Sequence, residues 1–332
     1  MLLPVRGTAA ERVCFEAAGS FSEGLAAVQM DSLYGFIDRT GRTVIDPAFT
    51  WAGAFSEGLA PVQILRYGIA YTGFIDKTGD TAIDAQYIHA ESFSNGLAAA
   101  DAGDPEYPIP QYINKYGIPV IDGDFQHGWS FHEGLASVEI DGKHGYMDTT
   151  GSLAVQPRFE FAGNFSEGLA LVQLNRKMGF IDRSGKTVID PELDHARDFH
   201  SGLASFMSDS VWGYIDTTGQ IAIKPEYEQC GRFAEGLAPV RLKGKWGFID
   251  KKGTQVIPPT FAYADAFSEG LAKVTVEKKS GYIDISGKIV IEPQFDYSGP
   301  FREGFANVKT EGKWCYMDRN GRFLLRPESG PE

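Results

Sequence analysis

One phrase, repeated nine times along the chain, constrains its fold more than any other feature. Between Phe233 and Phe267 the phrase reads Glu-Gly-Leu-Ala, a polar hairpin tip, Trp-Gly-Phe-Ile-Asp, Lys-Lys-Gly and Val-Ile-Pro-Pro, and then restarts. The first glycine of the phrase marks each unit, at Gly24, Gly58, Gly96, Gly134, Gly168, Gly202, Gly236, Gly270 and Gly304. These glycines are 34 residues apart in six intervals and 38 apart in the other two. A period in this range is typical of repeat architectures, so the sequence predicts a tandem array of small equivalent units.

The repeat leaves no room for a second domain. It runs from residue 15 to residue 327, between an unassigned segment at 1–14 and a tail at 328–332, so we expect a single body. A hydrophobic content of 43%, with 23 Phe and 14 Tyr, is sufficient for a core. The chain enters the pattern partway through a unit at Phe15 and leaves it after Pro327. The two ends would complete one shared unit in a closed propeller-like ring, but an open superhelical array fits the sequence equally well.

Each unit is predicted to be a three-stranded antiparallel sheet, which makes the fold all-β. In the first unit the strands are residues 25–30, whose apolar side chains alternate at period two, then 35–38 and 43–45. Pro47 and its counterparts should end the third strand, because proline cannot donate to a ladder. The residues that follow, with Phe-x-x-Ala-x-x-Phe spacing, are predicted to form a packed loop or a single helical turn. One such unit is too small to be stable alone, so each must cover its neighbour.

The second strand of each unit ends in Asp-x-x-Gly or a close variant of it. Asp at the first position and Gly at the fourth favour a type I turn, because the carboxylate accepts backbone N–H groups and glycine tolerates a positive φ. Calcium is the alternative ligand for such acids, but each turn offers only one acid, often beside Lys or Arg. Structural turns are therefore predicted at Asp38 and Gly41, Asp182 and Gly185, and Asp250 and Gly253.

One part of the phrase resembles a known family. Residues 245–250, Lys-Trp-Gly-Phe-Ile-Asp, together with Trp212-Gly213 and Lys313-Trp314, are similar to the WG repeat family of bacterial proteins. The tryptophan itself is replaced in most copies, for example by Tyr34, His144, Met178 and Ser280. The resemblance extends over nearly the whole chain, and it implies a β-rich repeat used as a binding module, with no catalytic residues to carry over.

The two 38-residue intervals are the most informative departures from the pattern. Units two and three each carry four extra residues in the same hairpin, so both insertions should emerge next to each other from one rim. Loops of this kind on a rigid frame commonly carry recognition. The residues predicted to bind a ligand there are Tyr67, Tyr71, Asp101, Asp104, Glu106, Tyr107, Tyr112 and Trp129. An acidic, aromatic rim suits a basic peptide or a sugar stacked on tyrosine rings, and sequence drift in two units is the alternative explanation.

The three cysteines, Cys14, Cys230 and Cys315, are too few and too far apart for a disulfide framework or a paired zinc site. We therefore expect buried thiols and a reducing compartment. The opening Met-Leu-Leu-Pro-Val is too short for a secretory signal, and no run of eighteen apolar residues is present. These features predict a cytoplasmic protein without a membrane span, or an exported one whose leader has been removed.

No cofactor, metal site or catalytic residue is predicted. The net charge of −13 without a basic block disfavours nucleic acid. His89, His127 and His195 occupy one equivalent position but lack partnered Cys or Asp ligands, which argues against a metal. The acids that precede the marker glycines, such as Glu23, are predicted to serve the turn, because a repeat keeps equivalent acids apart.

We expect a non-enzymatic binding or scaffolding protein for a protein, peptide or carbohydrate partner. The alternatives are a propeller-like hydrolase or lyase with a site where the units converge, and a purely structural spacer.

Overall fold

The computed structural model describes residues 12–123 and 125–325. The predictions made for residues 1–11 and for 326–332, including the strand end at Pro327 and the tail, lie outside the described residues. Within residues 12–123 and 125–325, no helix is long and apolar enough to cross a membrane.

The described residues form thirty-six strands and no helix. These strands form nine four-stranded sheets, called blades 1 to 9 in chain order. The first strand, β1 (Cys14–Phe15), belongs to blade 9. Blade 1 contains β2 (Ala17–Ala18), β3 (Leu25–Met30), β4 (Leu33–Asp38) and β5 (Thr43–Phe49). Blade 2 contains β6 (Trp51–Ala52), β7 (Ala60–Arg66), β8 (Ile69–Ile75) and β9 (Thr81–Tyr87). Blade 3 contains β10 (His89–Ala90), β11 (Leu97–Asp104), β12 (Tyr107–Asn114) and β13 (Pro119–Asp122).

The remaining blades repeat this order. Blade 4 contains β14 (His127–Gly128), β15 (Leu135–Ile140), β16 (Lys143–Asp148) and β17 (Leu153–Phe159). Blade 5 contains β18 (Phe161–Ser166), β19 (Leu169–Leu174), β20 (Lys177–Asp182) and β21 (Thr187–Leu193). Blade 6 contains β22 (His195–Ala196), β23 (Leu203–Ser208), β24 (Val211–Asp216) and β25 (Ile221–Tyr227). Blade 7 contains β26 (Gln229–Cys230), β27 (Leu237–Leu242), β28 (Lys245–Asp250) and β29 (Gln255–Phe261). Blade 8 contains β30 (Tyr263–Ala264), β31 (Leu271–Val276), β32 (Lys279–Asp284) and β33 (Ile289–Phe295). Blade 9 contains β34 (Tyr297–Ser298), β35 (Phe305–Thr310) and β36 (Lys313–Asp318), and β1 completes it.

The fold is a closed nine-bladed β-propeller, so the ring was the correct alternative and the open array was wrong. The last sheet has the order β1-β36-β35-β34, in which Cys14 pairs with Cys315 and Phe15 with Trp314. A strand from the start of the chain therefore supplies the fourth strand of the last blade. The expectation for the cysteines was also wrong for this pair: Cys14 and Cys315 form a disulfide, although 301 residues separate them, because closure brings the two ends together. Cys230 is a buried free thiol, as predicted.

Each blade has four strands, and the prediction of three was wrong. The segment predicted as a loop or helical turn contains a short strand, as where Trp51 and Ala52 pair with Gln63 and Val62. These first strands are called inner strands, because together they line the cavities at the centre of the ring. Two residues are too few to show a period in the sequence.

Proline does not end the last strand of a blade. β5 continues through Pro47 to Phe49, with a register shift between the pairs Tyr34–Phe49 and Phe36–Ile45. Proline is accommodated because this strand is the outer edge of the sheet and is irregular at that point. The same irregularity explains the glycine of β4: a Cβ on Gly35 would lie 2.5 Å from the backbone oxygen of Ile45.

The Asp-x-x-Gly turns have the predicted geometry. The Asp182 carboxylate accepts the backbone N–H groups of Ser184 at 2.9 Å and Lys186 at 3.1 Å. The Gly185 N–H donates to the Asp182 carbonyl, and Gly185 has a φ of 81°. The turns at Asp38 with Gly41 and at Asp250 with Gly253 repeat this arrangement.

The core is divided into nine layers, one between each pair of neighbouring blades. In one layer Tyr146 and Phe159 of blade 4 pack against Phe165, Val172 and Ile181 of blade 5. The closing layer has the same form, since it joins residues of β1 and blade 9 to residues of blade 1. Each blade therefore buries apolar surface only against its neighbours, as the sequence predicts.

A ring of polar bonds runs across the same interfaces. The residue before each marker glycine has a positive φ, for example 55° at Glu167, and in most blades its side chain accepts the marker-glycine N–H of the next blade. Glu167 reaches the Gly202 N–H at 2.7 Å, and Glu303 reaches the Gly24 N–H at 3.0 Å across the closure. Eight of the nine interfaces have this bond among the described residues, with Gly24, Gly58, Gly96, Gly134, Gly168, Gly202, Gly270 and Gly304 as donors. Seven of these acceptors are glutamates and the eighth is Asn95, and their bonds join neighbouring blades.

Candidate functional site

Two regions of the propeller differ from the regular frame: a pair of long hairpins and the centre of the ring. Because β2–β5 and their counterparts run up and down, the hairpins between second and third strands lie on one face of the ring. The Asp-x-x-Gly turns lie on the other face.

The two insertions lengthen the hairpins of blades 2 and 3. β7 and β8 have seven residues each, and β11 and β12 have eight, whereas the corresponding strands of the other blades have six. Tyr67 at one tip is 104% exposed and Tyr107 at the other is 76% exposed. The large apolar side chains that these hairpins expose are Leu65, Tyr67, Ile69, Tyr107 and Ile109, and together they are called the hairpin patch.

The predicted binding residues are only partly brought together. Tyr67, Tyr107, Asp104 and Glu106 are exposed at the tips, where the Asp104 carboxylate accepts the Glu106 N–H at 2.9 Å. Tyr71 lies lower on β8 and is half-buried.

Three predicted residues lie away from the tips. Tyr112 is 0% exposed, and its hydroxyl donates to the Trp129 carbonyl of the next blade at 2.9 Å. Its inclusion in an exposed rim was wrong, because β12 turns this side chain into the interface between blades. Trp129 belongs to the ring centre, and Asp101 is half-buried opposite His89 of an inner strand.

The ring centre is lined by the inner strands. The first residue of each inner strand is polar or aromatic in eight blades, and in some of these blades it lines a cavity at the ring centre. These residues are Trp51, His89, His127, Phe161, His195, Gln229, Tyr263 and Tyr297, all exposed. Of the three histidines noted in the sequence, His89 lines one of the cavities at the ring centre.

One cavity at the centre is formed by five consecutive blades. It has a volume of about 900 Å³ and is lined by residues of blades 4 to 8, so it is called the central cavity. Its aromatic walls are Trp129, His144, Phe161, Trp246 and Tyr263. A concave site of this size with apolar walls and a few polar groups is typical of small-molecule sites.

The aromatic side chains of the central cavity support one another. His144 lies between Trp129, with ring centroids 5.2 Å apart, and Phe161, at 6.4 Å. Trp246 of blade 7 contacts Tyr263 of blade 8, with centroids 5.6 Å apart. Neighbouring aromatic rings restrict rotation, so the exposed rings are held in place.

The polar groups of the central cavity include two acids and two arginines: Asp198, Asp265, Arg197 and Arg232. Burial raises the pKa of Asp198 above its ordinary value, and the charges of His200 and His132 act against this shift. Asp265 lies 3.4 Å from the Lys273 ammonium.

Arg197 is fixed by its surroundings. Its guanidinium lies 4.6 Å from the centroid of Trp212 and donates to the Cys230 carbonyl.

A second group of titratable residues lies beside blades 3 and 4. Burial raises the pKa of Asp101, against the effect of His89 and His127, while Glu91 raises it further. Burial lowers the pKa of His144. Among residues 12–123 and 125–325, no group of three or more His, Cys, Asp or Glu side chains is placed to hold a metal ion.

Apart from Trp129, no residue of the central cavity was predicted as a site residue. Phe161, Asp198 and Tyr263 are spread over more than 100 residues and three blades. A signal was present: the first inner-strand residue differs from unit to unit, whereas the alanine after it is kept in most.

A family model described as WG containing repeat matches nine segments of the chain, at residues 15–34, 34–65, 73–103, 112–143, 145–177, 178–210, 212–246, 246–279 and 281–314. None of the curated proteins matches the chain.

Solved structures that match the chain include PorZ, described as a bacterial surface component of the type-IX secretion system of Porphyromonas gingivalis, with 11% identity and a TM-score of 0.34. The match covers 98% of this chain and 53% of PorZ. The tricorn protease matches with 12% identity and a TM-score of 0.30, over 96% of this chain and 40% of the protease. KlHsv2 with a loop replaced by a Gly-Ser linker matches with 8% identity and a TM-score of 0.39. This match covers 83% of this chain and 93% of KlHsv2. This chain thus spans about half of PorZ and two fifths of the protease, and similarity at this level carries no argument about function.

Proposed function

Because the chain belongs to the WG containing repeat family and closes into a nine-bladed propeller, we propose that it is a non-enzymatic binding protein. Its partner is a protein or peptide, and the hairpin patch is the surface that captures it.

One observation carries this proposal: the hairpin patch places five large apolar side chains in water at two adjacent hairpins. The other seven hairpins end in short polar turns, such as Asp31-Ser32, Asp141-Gly142 and Lys243-Gly244. Exposed apolar groups concentrated in one place are typical of interaction sites, because burying them on binding releases free energy.

The charges around the hairpin patch favour a basic partner segment. Asp104 and Glu106 are exposed beside Tyr107, and Asp101 lies below them on β11. The chain as a whole carries a net charge of −13. Complementary charge accelerates association and disfavours acidic partners, whereas the apolar contacts supply the affinity.

The experiment compares two variants on an array of basic peptides that contain Leu, Tyr or Phe. The double variant Tyr67→Ala/Tyr107→Ala should lose most of the peptides that the parent protein captures. Tyr116→Ala is the matched control, because Tyr116 is 83% exposed in the same blade but lies at the other end of β12. Equal capture by the parent and the double variant would contradict the proposal.

A second candidate function is a hydrolase or lyase acting in the central cavity, and one observation favours it. Asp198 has a raised pKa and lies in the same cavity as His200. An acid that holds its proton nearer to neutral pH is suited to general acid catalysis. If the protein converts a bound molecule to product and the Asp198→Asn variant does not, its function is catalysis and not binding alone.

We also propose that the protein works in an oxidising compartment. The Cys14–Cys315 disulfide supports this location, since such bonds persist outside the reducing cytosol. Alkylation of intact cells, followed by fractionation and mass analysis, should find this pair blocked by its bond. Two alkylated thiols in the cytosolic fraction would contradict the location.

A further inference from the structure

The central cavity contains the elements of a second binding site, independent of the hairpin patch. It is formed by blades 4 to 8, whereas the hairpin patch belongs to blades 2 and 3.

Two aromatic rings present their surfaces to the central cavity. Phe161 is 43% exposed and Tyr263 is 41% exposed, although both stand on strands near the ring centre. His144 supports Phe161, and Trp246 supports Tyr263. Fixed, exposed rings on different blades offer flat apolar platforms without a large loss of conformational entropy on binding.

Two polar atoms in the wall are left without partners. Ser205 is 3% exposed, and its Oγ has no hydrogen-bond partner in the described part of the chain. The same holds for Nδ1 of His144, and both residues line the central cavity. Ser137 has the same position in blade 4 and the same unpartnered Oγ but lies outside the cavity lining, so the ligand class is inferred from the aromatic platforms and the charged groups of the cavity.

The charge of the central cavity selects the ligand class. Asp265 is paired with Lys273 and Arg197 donates to the Cys230 carbonyl, so one acid, Asp198, and one arginine, Arg232, remain in the lining for a ligand. A site for an anion would carry excess positive charge, and an aromatic cage for a cation would not include arginines. Balanced donors and acceptors between apolar platforms suit a neutral molecule with many hydroxyl groups.

We propose that the central cavity binds a neutral oligosaccharide. Phe161 and Tyr263 stack against the apolar faces of two sugar rings, while Asp198 accepts and Arg232 donates hydrogen bonds to hydroxyl groups between them. The volume of about 900 Å³ accommodates several sugar rings.

The test titrates the protein with neutral hexasaccharides of glucose, xylose and mannose, and with galacturonate hexasaccharide and choline as charged comparators. Calorimetry measures affinity, and the fluorescence of Trp129 and Trp246 in the cavity wall reports binding independently. At least one neutral hexasaccharide should bind and change this fluorescence. Absence of neutral binding, or a preference for either charged comparator, would overturn the proposal.

The variants locate the binding. Phe161→Ala and Tyr263→Ala should each weaken it by about tenfold or more, as expected for the loss of one stacking platform. Tyr297→Ala is the matched control, because Tyr297 has the same position in the next blade but lies outside the central cavity wall. The assignment of binding to the central cavity would be overturned if Tyr297→Ala weakened saccharide binding equally. It would also be overturned if neither Phe161→Ala nor Tyr263→Ala weakened it.

Two checks keep the outcome interpretable. Unchanged circular dichroism and melting temperature establish that each variant is folded. Tyr67→Ala/Tyr107→Ala should bind the saccharide like the parent, so failure of one site is distinguishable from failure of the other.

Discussion

Blade 9 and the other eight blades have the same four-stranded sheet but are completed in different ways. In blades 1 to 8 the outer strand follows directly in the chain, whereas in blade 9 it is β1, from the other end. The contacts across the interfaces are nevertheless the same. The Tyr316 hydroxyl donates to the Gly19 carbonyl across the closure, just as the Tyr282 hydroxyl donates to the Gly299 carbonyl between blades 8 and 9. The non-covalent contacts between blades 9 and 1 are therefore the same as those between other neighbouring blades. Blade 9 differs from the others by its disulfide.

A single position shows how the sequence adapts to this difference. Regular blades have glycine in the third strand because the irregular outer strand lies against it, as Ile189 lies against Gly179. Blade 9 has Cys315 there, paired in regular register with Cys14 of β1. Blade 3 has Gln111, and its outer strand β13 is shortened to four residues. Glycine is lost only where the outer strand takes another path.

The largest effect is expected from the disulfide. Reduction, or Cys14→Ser/Cys315→Ser, should lower the free energy of unfolding by about 2–4 kcal/mol, because the bond closes a very long loop. Urea denaturation with and without reductant measures this loss. Reductant should have no further effect on the double variant, and an unchanged parent curve in reductant would refute the role of the bond.

A smaller effect is expected from the glycine of a regular blade. Gly179→Ala should lower the free energy of unfolding by about 1–3 kcal/mol, because the new Cβ would lie 2.5 Å from the backbone oxygen of Ile189. Cys315→Ala is the counterpart in blade 9, and it is compared with the parent protein in reductant. It should lower the free energy of unfolding by less than Gly179→Ala does, because β1 leaves room for a Cβ. Equal losses at both positions would remove the distinction between the blades.

The bond from Glu303 to Gly24 sharpens the comparison through its dependence on pH. Burial acts to raise the pKa of Glu303, but Arg39 and the Gly24 N–H outweigh it and hold the pKa below its ordinary value of 4.5. A depressed folded-state pKa gives stability that is present above pH 4.5 and lost as pH falls through the folded value.

Glu303→Gln should therefore cost about 1 kcal/mol at neutral pH, and the cost should shrink as the solution becomes acidic. Urea denaturation from pH 7 to pH 3 measures it. A loss independent of pH would show that the charge of Glu303 has no part in the closure.

The smallest effect is expected at the hairpin patch, which takes no part in holding the blades together. Tyr67→Ala should change stability by less than about 0.5 kcal/mol, because the side chain is fully exposed. Thermal denaturation checks this, and a large loss would place Tyr67 in the frame.

The sequence predicted what every unit repeats. The period predicted nine units, the alternation in residues 25–30 predicted β3, and the Asp38–Gly41 pair predicted the turn after β4. It did not predict β6, because two residues bound through backbone groups leave no pattern. The Cys14–Cys315 bond and the central cavity were missed because they depend on contacts between distant blades.

Residues 14–15 pair with residues 314–315 to complete blade 9. Peptide mapping without reductant, on monomeric protein treated with a mild oxidant, tests this pairing most directly. The account predicts one linked pair of peptides, which contain Cys14 and Cys315, and a Cys230 thiol that is alkylated only after unfolding. Free thiols at Cys14 and Cys315, or a link from either of them to Cys230, would contradict it.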